Sequence, residues 1–382
     1  MINHLMKEIK YIGFYDLPNS KCKRVSALSA INKMDYICNS INNVGFQVHL
    51  ISPSWMDDSI KNFKIQKTST IQLNDNKKLT LVSSFGTSNK FTRIVKIIYS
   101  LLWLFFWLVK SVKRDEKIIV YHSPWISLPI ILAKKLKRFK LILEVEEIYS
   151  DVTSLHPYFD KLEKKIFQIA DSFLFSSDLL VSKIGDCKKN IIIYGNYNVN
   201  EVLAHPINDN KIHLLYAGII DKVKAGAFNA VESALYLNED YVLHIIGFGD
   251  VKTLLIRINE INKISKCKII FDGTLSGSDY IKYCQKCHIG LSTQKMDGKY
   301  LETSFPSKIL SYMGLGLRVV SCGVECVMDS KIGNDIVFYY KDTTQAIAEA
   351  IKKINITTPN NNINIIKKLD REFISDLKKL LE

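Results

Sequence analysis

Three short stretches carry side chains suited to chemistry. In Phe305-Pro306-Ser307-Lys308 a loop enters an apolar run, with Pro306 at an early helical position where its missing N–H costs nothing. The amides of Ser307, Lys308 and Ile309, at the positive end of such a helix, would hold an anion, and Lys308 adds a full charge. A plain helix start is the bland alternative. The second stretch, Glu144-Val145-Glu146-Glu147, puts three acids into four positions after an apolar run. Unpaired carboxylates are costly to bury, so these are expected outside a core. There Glu146, with Glu147 beside it, could take the proton of an attacking hydroxyl, unless Lys pairing or helix capping claims it. His122 follows another apolar run and is the third candidate, against the reading of a satisfied polar residue.

Other patterns point to less. The eight cysteines, at 22, 38, 187, 267, 284, 287, 322 and 326, read as reduced thiols. Cys284-Gln285-Lys286-Cys287-His288 spells the c-type haem attachment pattern, but residues 1–20 show no export signal, so the match is read as coincidence. Cys284, Cys287, Cys322 and Cys326 could ligate zinc, yet the segments between them read as strand and helix of a larger core. Gly247-Phe248-Gly249 lacks a third Gly at Val251 or Lys252, which argues against a nicotinamide dehydrogenase.

The elements that must position these residues fit a chain of 382 residues, long enough for two domains. With 47% hydrophobic and 24% charged residues it is expected to fold. Apolar runs rich in Ile and Val alternate with helical patterns, as in parallel sheets covered by helices. Strands are expected over 10–15, 46–52, 117–121, 141–145, 172–175 and 191–194, and helices over 26–43, 126–137 and 159–169. Residues 199–210, rich in Asn with a lone Pro206, read as a linker. Strands resume over 213–217, 241–246, 268–271, 289–292 and 318–321, with helices over 228–237, 280–286 and 308–313 and an amphipathic helix over 363–382. The expected fold is α/β, with doubly wound Rossmann-like domains over 1–198 and 211–358 facing across a cleft that holds the ligand.

The net charge is +14, from 52 Lys+Arg against 38 Asp+Glu. Only seven of the basic residues are Arg, and Ile and Asn abound, as AT-rich coding would produce. The distribution says more: residues 1–200 balance to +12 and residues 201–382 to +2. Coding bias would act on both halves alike, so the first half is expected to face something anionic. No zinc-finger, RNP-like or basic-heptad pattern accompanies the charge, which argues against nucleic acid.

Residues 97–109 form a charge-free run between Arg93 and Lys96 on one side and Lys110, Lys113 and Arg114 on the other. At 1.5 Å per residue such a run covers about 20 Å, short of a ~30 Å hydrocarbon core. As a helix it places Ile94, Ile97, Ile98, Leu101, Leu104, Phe105, Leu108 and Val112 on a core-facing stripe. Trp103, Phe106 and Trp107 fall outside the stripe and are expected to touch a membrane interface, with Lys110, Lys113 and Arg114 reaching headgroups. Burial inside the domain is the alternative.

Residues 300–321 resemble the phosphate-binding stretch of GT-B fold glycosyltransferases, in particular family 4 and its bacterial capsule and O-antigen relatives. That stretch reads Phe-Pro-Ser-Lys, an apolar spacer, Glu-Tyr-Met and Gly-x-Pro-Val-Val. Tyr216-Ala217-Gly218-Ile219-Ile220-Asp221, with Lys222, Lys224 and Gly226, is similar to the loop after the first donor-domain strand, and Phe271-Asp272-Gly273-Thr274-Leu275 to the nucleobase loop. Residues 287–292, 120–124 and 144–151 are similar to further segments, and 359–382 matches the helix that returns to the first domain. Two departures stand out: Thr303 and Ser311 occupy the places of the family's paired Glu, with Glu302 adjacent, and Ile219 replaces an Arg.

The resemblance implies a cytoplasmic enzyme, peripheral at the inner face of the plasma membrane. It would move a sugar from a UDP-sugar to a lipid-linked or oligosaccharide acceptor in surface polysaccharide synthesis, with retention. Donor contacts would come from Gly218, Lys222, Lys224, Gly249, Asp272, Thr274, Glu302, Thr303, Ser304, Phe305, Pro306, Ser307 and Lys308. Glu146, Glu147 and His122 would serve catalysis. Lysines in place of metal would hold the diphosphate; no Asp-x-Asp pair occurs, and neither metal nor cofactor is expected. A nucleotide-sugar epimerase of the same fold, or an inactive transferase-like subunit, is the alternative.

Overall fold

The computed structural model describes residues 7–18, 20, 23–60, 65–87, 89–185, 188–296 and 304–382. The chain divides into two compact units, Met1–Asn196 with Glu372–Glu382, and Tyr197–Arg371.

In the first unit the strands are β1 (Glu8–Ile12), β2 (Gln47–Ser52), β3 (Ile65–Gln66), β4 (Ser69–Asn74), β5 (Lys77–Leu81), β6 (Ser84–Phe85), β7 (Lys117–Tyr121), β8 (Lys140–Val145), β9 (Ser172–Phe175) and β10 (Lys189–Ile192). Eight of them form one sheet in the order β10-β9-β8-β7-β1-β2-β5-β4. It is parallel except where β4 turns back on β5. β7 and β8 are near-continuous apolar runs because helices cover both faces of the sheet. The helices are α1 (Leu28–Asn43), α2 (Lys90–Ser111), α3 (Pro124–Lys137), α4 (Tyr149–Val152) and α5 (Pro157–Ile169). α1 buries Ile31, Met34, Ile37, Cys38 and Ile41 at helical spacing and ends before Gly45, whose φ of 90° suits the left-handed position past a helix end.

α2, α3 and α5 form one layer: Leu104, Leu108, Val112, Ile126, Ile130, Ala133 and Ile166 share a core with Ile118, Val120, Leu141 and Leu143. α2 begins at Asn89, whose side chain accepts from Thr92 N at 2.9 Å. Its buried residues are Lys96, Ser100, Leu104 and Leu108, which corrects the expected stripe. Ile94 and Ile98 face out, while Trp103 and Trp107 turn inward against the core and stack at 6.2 Å. Trp107 also meets the His49 ring edge-on at 5.6 Å. Of the residues expected at a membrane interface, Phe106, Lys110, Lys113 and Arg114 are exposed, whereas Trp103 and Trp107 are half-buried against the core. The rotation has a polar cause: Lys96 Nζ donates to Met56 O at 2.7 Å and Ser100 Oγ donates to Pro53 O, which draws both inward.

From Asn196 the chain runs without regular structure to the second unit's first strand. Along the way Leu203 N and Ala204 N donate to Gln285 Oε1. The strands are β11 (Ile212–Ile220), β12 (Tyr241–Gly249), β13 (Lys268–Phe271), β14 (Ile289–Ser292), β15 (Arg318–Cys322) and β16 (Val337–Tyr339). They form a parallel sheet in the order β13-β12-β11-β14-β15-β16. Numbered within the unit, this is the 3-2-1-4-5-6 order, which reverses between β11 and β14. Helices α6 (Gly226–Ser233), α7 (Val251–Ile261), α8 (Gly277–Gln285), α9 (Lys308–Gly314), α10 (Glu325–Met328) and α11 (Thr344–Lys352) accompany it. α12 (Asn362–Leu381) starts in the second unit, where Asn362 Nδ2 donates to Leu317 O, and ends in the first, where Phe373 stacks on Tyr36.

Candidate active site

At the reversal point of the second sheet, β11 and β12 run side by side to their ends past closely set glycines. Gly218 pairs with Gly247 and Ile220 with Gly249. A Cβ on Gly247 would lie 1.9 Å from Gly218 O, and one on Gly249 2.2 Å from Ile220 O, so the strands stay paired here only with glycine. α9 starts beside them because Tyr312 packs on Gly290 of β14 and its hydroxyl accepts from Ala217 N at 2.8 Å. The anchoring brings Lys308 Nζ to 3.1 Å from the place of a Gly218 Cβ and 4.0 Å from the Tyr216 ring centre. Burial, and then the neighbouring charge of Lys224, push the Lys308 ammonium down to about 8. No ion pair to Lys308 occurs among the described residues.

Around this ammonium the expected donor residues divide. Lys224 is held in a turn by Asp221, whose Oδ1 accepts its amide at 2.7 Å. Lys222 points to Asp250, 3.5 Å away; of the two it is Lys224 whose charge acts on Lys308. The loop Asp272-Gly273-Thr274 is tied to Gly247 by bonds from Gly247 N to Gly273 O and from Thr274 Oγ1 to Gly247 O, each 2.9 Å. Phe305 is buried and Ser304 O accepts from the Cys326 thiol. Pro306 O takes the Ile309 N–H at 3.1 Å, so that amide is not offered to an anion as expected. Ser307 caps α9 with helical backbone and no side-chain bond. Glu302 and Thr303 lie outside the described residues.

The first unit gathers its acids where β7 and β8 end, next to its own reversal of strand order between β1 and β7. Glu144 is fully buried, which corrects the expectation that all three acids stay out of the core. Strand alternation explains it: residues two apart share a face, so Glu144 lies on the same face as Glu146. Tyr11 OH donates to Glu144 Oε2, while Oε1 finds no partner among the described residues. Burial and the Glu146 charge push the Glu144 carboxyl up to about 8. Glu146 is partly exposed and accepts from Lys33 Nζ, which also donates to Ile193 O at 2.8 Å. Glu147 is half-buried and its charge acts on Tyr149. His122 is 1% exposed, 2.8 Å from Glu163 Oε1, and packed by Tyr149 and Phe167. Glu163 also accepts from Tyr149 N and Ser150 N, so the pair pins the start of α4 inside the domain and presents no ring nitrogen to solvent.

The course of the whole chain is shared with solved structures. An E. coli trehalose-6-phosphate structure bound with UDP-2-fluoro glucose matches with a TM-score of 0.67 at 10% identity, over 98% of this chain and 99% of that one. The apo lipopolysaccharide outer core galactosyltransferase WaaB gives 0.60 at 16%, over 97% and 98%. A glycosyltransferase from Rickettsia africae ESF-5 gives 0.60 at 13%, over 99% and 96%. The fold is GT-B. The sequence matches no protein-family model and no curated protein.

The GT-B chain also contains a polar network that spacing in the sequence did not mark. His213 of β11 and His244 of β12 stack with ring centres 5.1 Å apart, and Nδ1 of the first lies 2.8 Å from Nε2 of the second. His213 Nε2 is 3.0 Å from Asp209 Oδ1, and His244 Nδ1 is 2.6 Å from Tyr283 OH. Tyr283 in turn donates to Asp272 Oδ2. The network thus runs along one face of the second unit's sheet and ends in the loop that carries Thr274. Burial, then the nearby His213, hold His244 below its ordinary value; the same two causes, in the same order, lower His288, whose Nδ1 accepts from His213 N.

Proposed function

We propose that the chain is a glycosyltransferase that transfers a sugar from a UDP-sugar to a hydroxyl acceptor without a metal. The observation that carries this reading is Lys308, a half-buried ammonium with no ion-pair partner among the described residues, aimed at Gly218 where β11 ends. Ligands of open α/β sheets bind at such reversal points, at the carboxyl ends of the strands. Gly218, without a side chain, lets a phosphate approach the backbone, and Lys308 with Lys224 supplies the positive charge. When the bond from the anomeric carbon to the phosphate oxygen breaks, the electron pair leaves with the diphosphate. A fixed ammonium stabilises that charge more in the transition state than in the bound donor. The acceptor oxygen forms the new bond to the anomeric carbon and its proton goes to the departing diphosphate oxygen, since Lys33 already claims Glu146. A bound diphosphate would also restore Lys308 to full protonation, because an adjacent anion favours the charged form.

The named neighbours support the substrate class. One was solved with UDP-2-fluoro glucose, another is a galactosyltransferase of the lipopolysaccharide outer core, and a third, at TM-score 0.63 and 9% identity, was used to examine glycosyl transfer with retention. On that footing we assign a retaining transfer, onto a lipid-linked or oligosaccharide acceptor of a surface polysaccharide, at the inner face of the plasma membrane. The test is a thermal-shift screen of nucleotide sugars on wild type and Lys308→Ala. A UDP-sugar should raise the wild-type Tm and leave the variant unmoved. Epimerised nucleotide sugar formed without acceptor would overturn the transferase reading.

A further inference from the structure

α2 is turned the opposite way from an ordinary surface helix. Lys96 is 1% exposed and donates to Met56 O at 2.7 Å and Asp58 Oδ1 at 3.2 Å, while Ser100 Oγ donates inward to Pro53 O. Facing out are Phe91, Ile94, Ile98, Leu102 and Phe106, each between 50% and 74% exposed. A helix with only water outside would gain by burying those residues and exposing Lys96 and Ser100. α3, packed against α2, continues the pattern with Trp125, Leu132 and Leu136, all exposed. Both helices bury their opposite sides, Leu104 and Leu108 or Ile126 and Ile130, in one core with the sheet, so their outer sides point the same way.

The charge carried by the two helices themselves has one sign, Asp58 outside them being paired with Arg93 and Lys96. Neither α2 nor α3 contains an acidic residue, while Lys90, Lys110, Lys135 and Lys137 border the apolar strip and Lys113 and Arg138 follow the two helix ends. We propose that this two-helix face docks on a bilayer rich in anionic lipid, with α2 lying in the plane of the membrane. Its apolar side chains enter the boundary between headgroups and acyl chains, over about 22 Å from Phe91 to Phe106, and the lysines reach the phosphates. α2 is long and apolar enough to cross a membrane. Its inner side is committed to the first unit, however, so the folded chain offers it only lengthwise. A second copy of the chain fits this face poorly, because it would set lysines against lysines.

This inference deepens the membrane part of the proposed function, and its test separates it from sugar transfer. The full chain is co-sedimented with vesicles of phosphatidylcholine, alone or mixed with phosphatidylglycerol, at low and high salt. Binding is expected to the mixed vesicles at low salt, to fall with salt, and to be about tenfold weaker in Leu102→Gln and in Leu136→Gln. Both substitutions sit at exposed positions, and unchanged melting temperatures would show that the variants fold. Failure of wild type to bind mixed vesicles, or equal binding by both folded variants, overturns the proposal. A wild-type dimer in solution that both variants abolish overturns it too, and gives the face to a second copy. Vesicle binding without any shift by UDP-sugars leaves the dock standing and removes the transferase reading.

Discussion

His213 and His244 join neighbouring strands by a ring-to-ring hydrogen bond of 2.8 Å, in the middle of a path from Asp209 to Asp272. Their rings lie on one face of the sheet, diagonally across the β11–β12 pairing, where Leu215 is opposite His244. The path couples the entrance of the second unit to a loop at the far end of its strands.

Tyr283 is the joint of that path, since its hydroxyl meets both His244 and Asp272. Tyr283→Phe strands two polar partners in a largely buried place, and a loss of about 1–3 kcal/mol in unfolding free energy is expected. Urea denaturation of the variant measures it. A loss below a few tenths would mean that water or rearrangement satisfies both groups.

His244 and His288 are held below their ordinary values, so the folded state resists protonating them. The unfolded chain binds those protons once pH falls below about 6.5, while the folded one does not, and stability should decline through that range. His244→Asn should flatten the decline. Urea midpoints between pH 5 and 7.5 would show it.

Lys308, with its ammonium at about 8, should make donor binding sensitive to alkaline pH. Above that value the free site loses its charge, and affinity for a UDP-sugar should drop by about tenfold per pH unit until the bound form also deprotonates. Titration calorimetry at pH 7, 8.5 and 9.5 provides the check. An affinity flat over that range would remove the ammonium from the phosphate site.

Gly218→Ala tests the approach of backbone to ligand. The residue has a φ of 152°, strained for a side chain, and the new methyl would meet Lys308 Nζ at 3.1 Å. The variant should lose about 1–2 kcal/mol of stability and bind UDP-sugars about tenfold more weakly. Melting and donor titration on the same preparation separate the two effects.

Glu144 gives a slope of the opposite sign to the histidines. Its carboxyl stays protonated in the fold up to about 8, whereas the unfolded chain ionises it from its ordinary value of 4.5. Between those values the fold holds the extra proton, so stability falls as pH rises and the loss is complete above about 8. Glu144→Gln keeps an acceptor for Tyr11 and removes the slope. A variant no more stable than wild type at pH 8.5 would contradict this account.

Much of the frame was legible in the sequence because parallel strands covered on both faces are written as apolar runs. β7 and β9 fall at the residues expected, and β8 and β14 within one residue or none. The strands between Ile65 and Phe85 were not legible: Ser69–Asn74 alternates polar with apolar and is largely exposed, so no run marks it. α7 was passed over, although Asp250 caps it by accepting from Thr253 N. At the site, Lys308 and its loop were legible because loop and charge are adjacent in sequence. Lys33, Glu163 and the His213–His244 pair were not, because their partners lie 31 to 113 positions away. The rotation of α2 escaped for the same reason: periodicity saw its apolar residues, but not Met56 O and Pro53 O waiting for Lys96 and Ser100.

The path of α12 has a consequence for synthesis. Its last segment, Glu372–Glu382, belongs to the first unit, where Phe373 covers Tyr36 and Leu380 O takes the Lys117 ammonium. On the ribosome those residues emerge only after the whole of Tyr197–Arg371, a delay of about 10–35 s at ~5–20 residues per second. Throughout that interval the nascent first unit carries an open seam beside Tyr36, and a chaperone or a premature neighbour has its opportunity there.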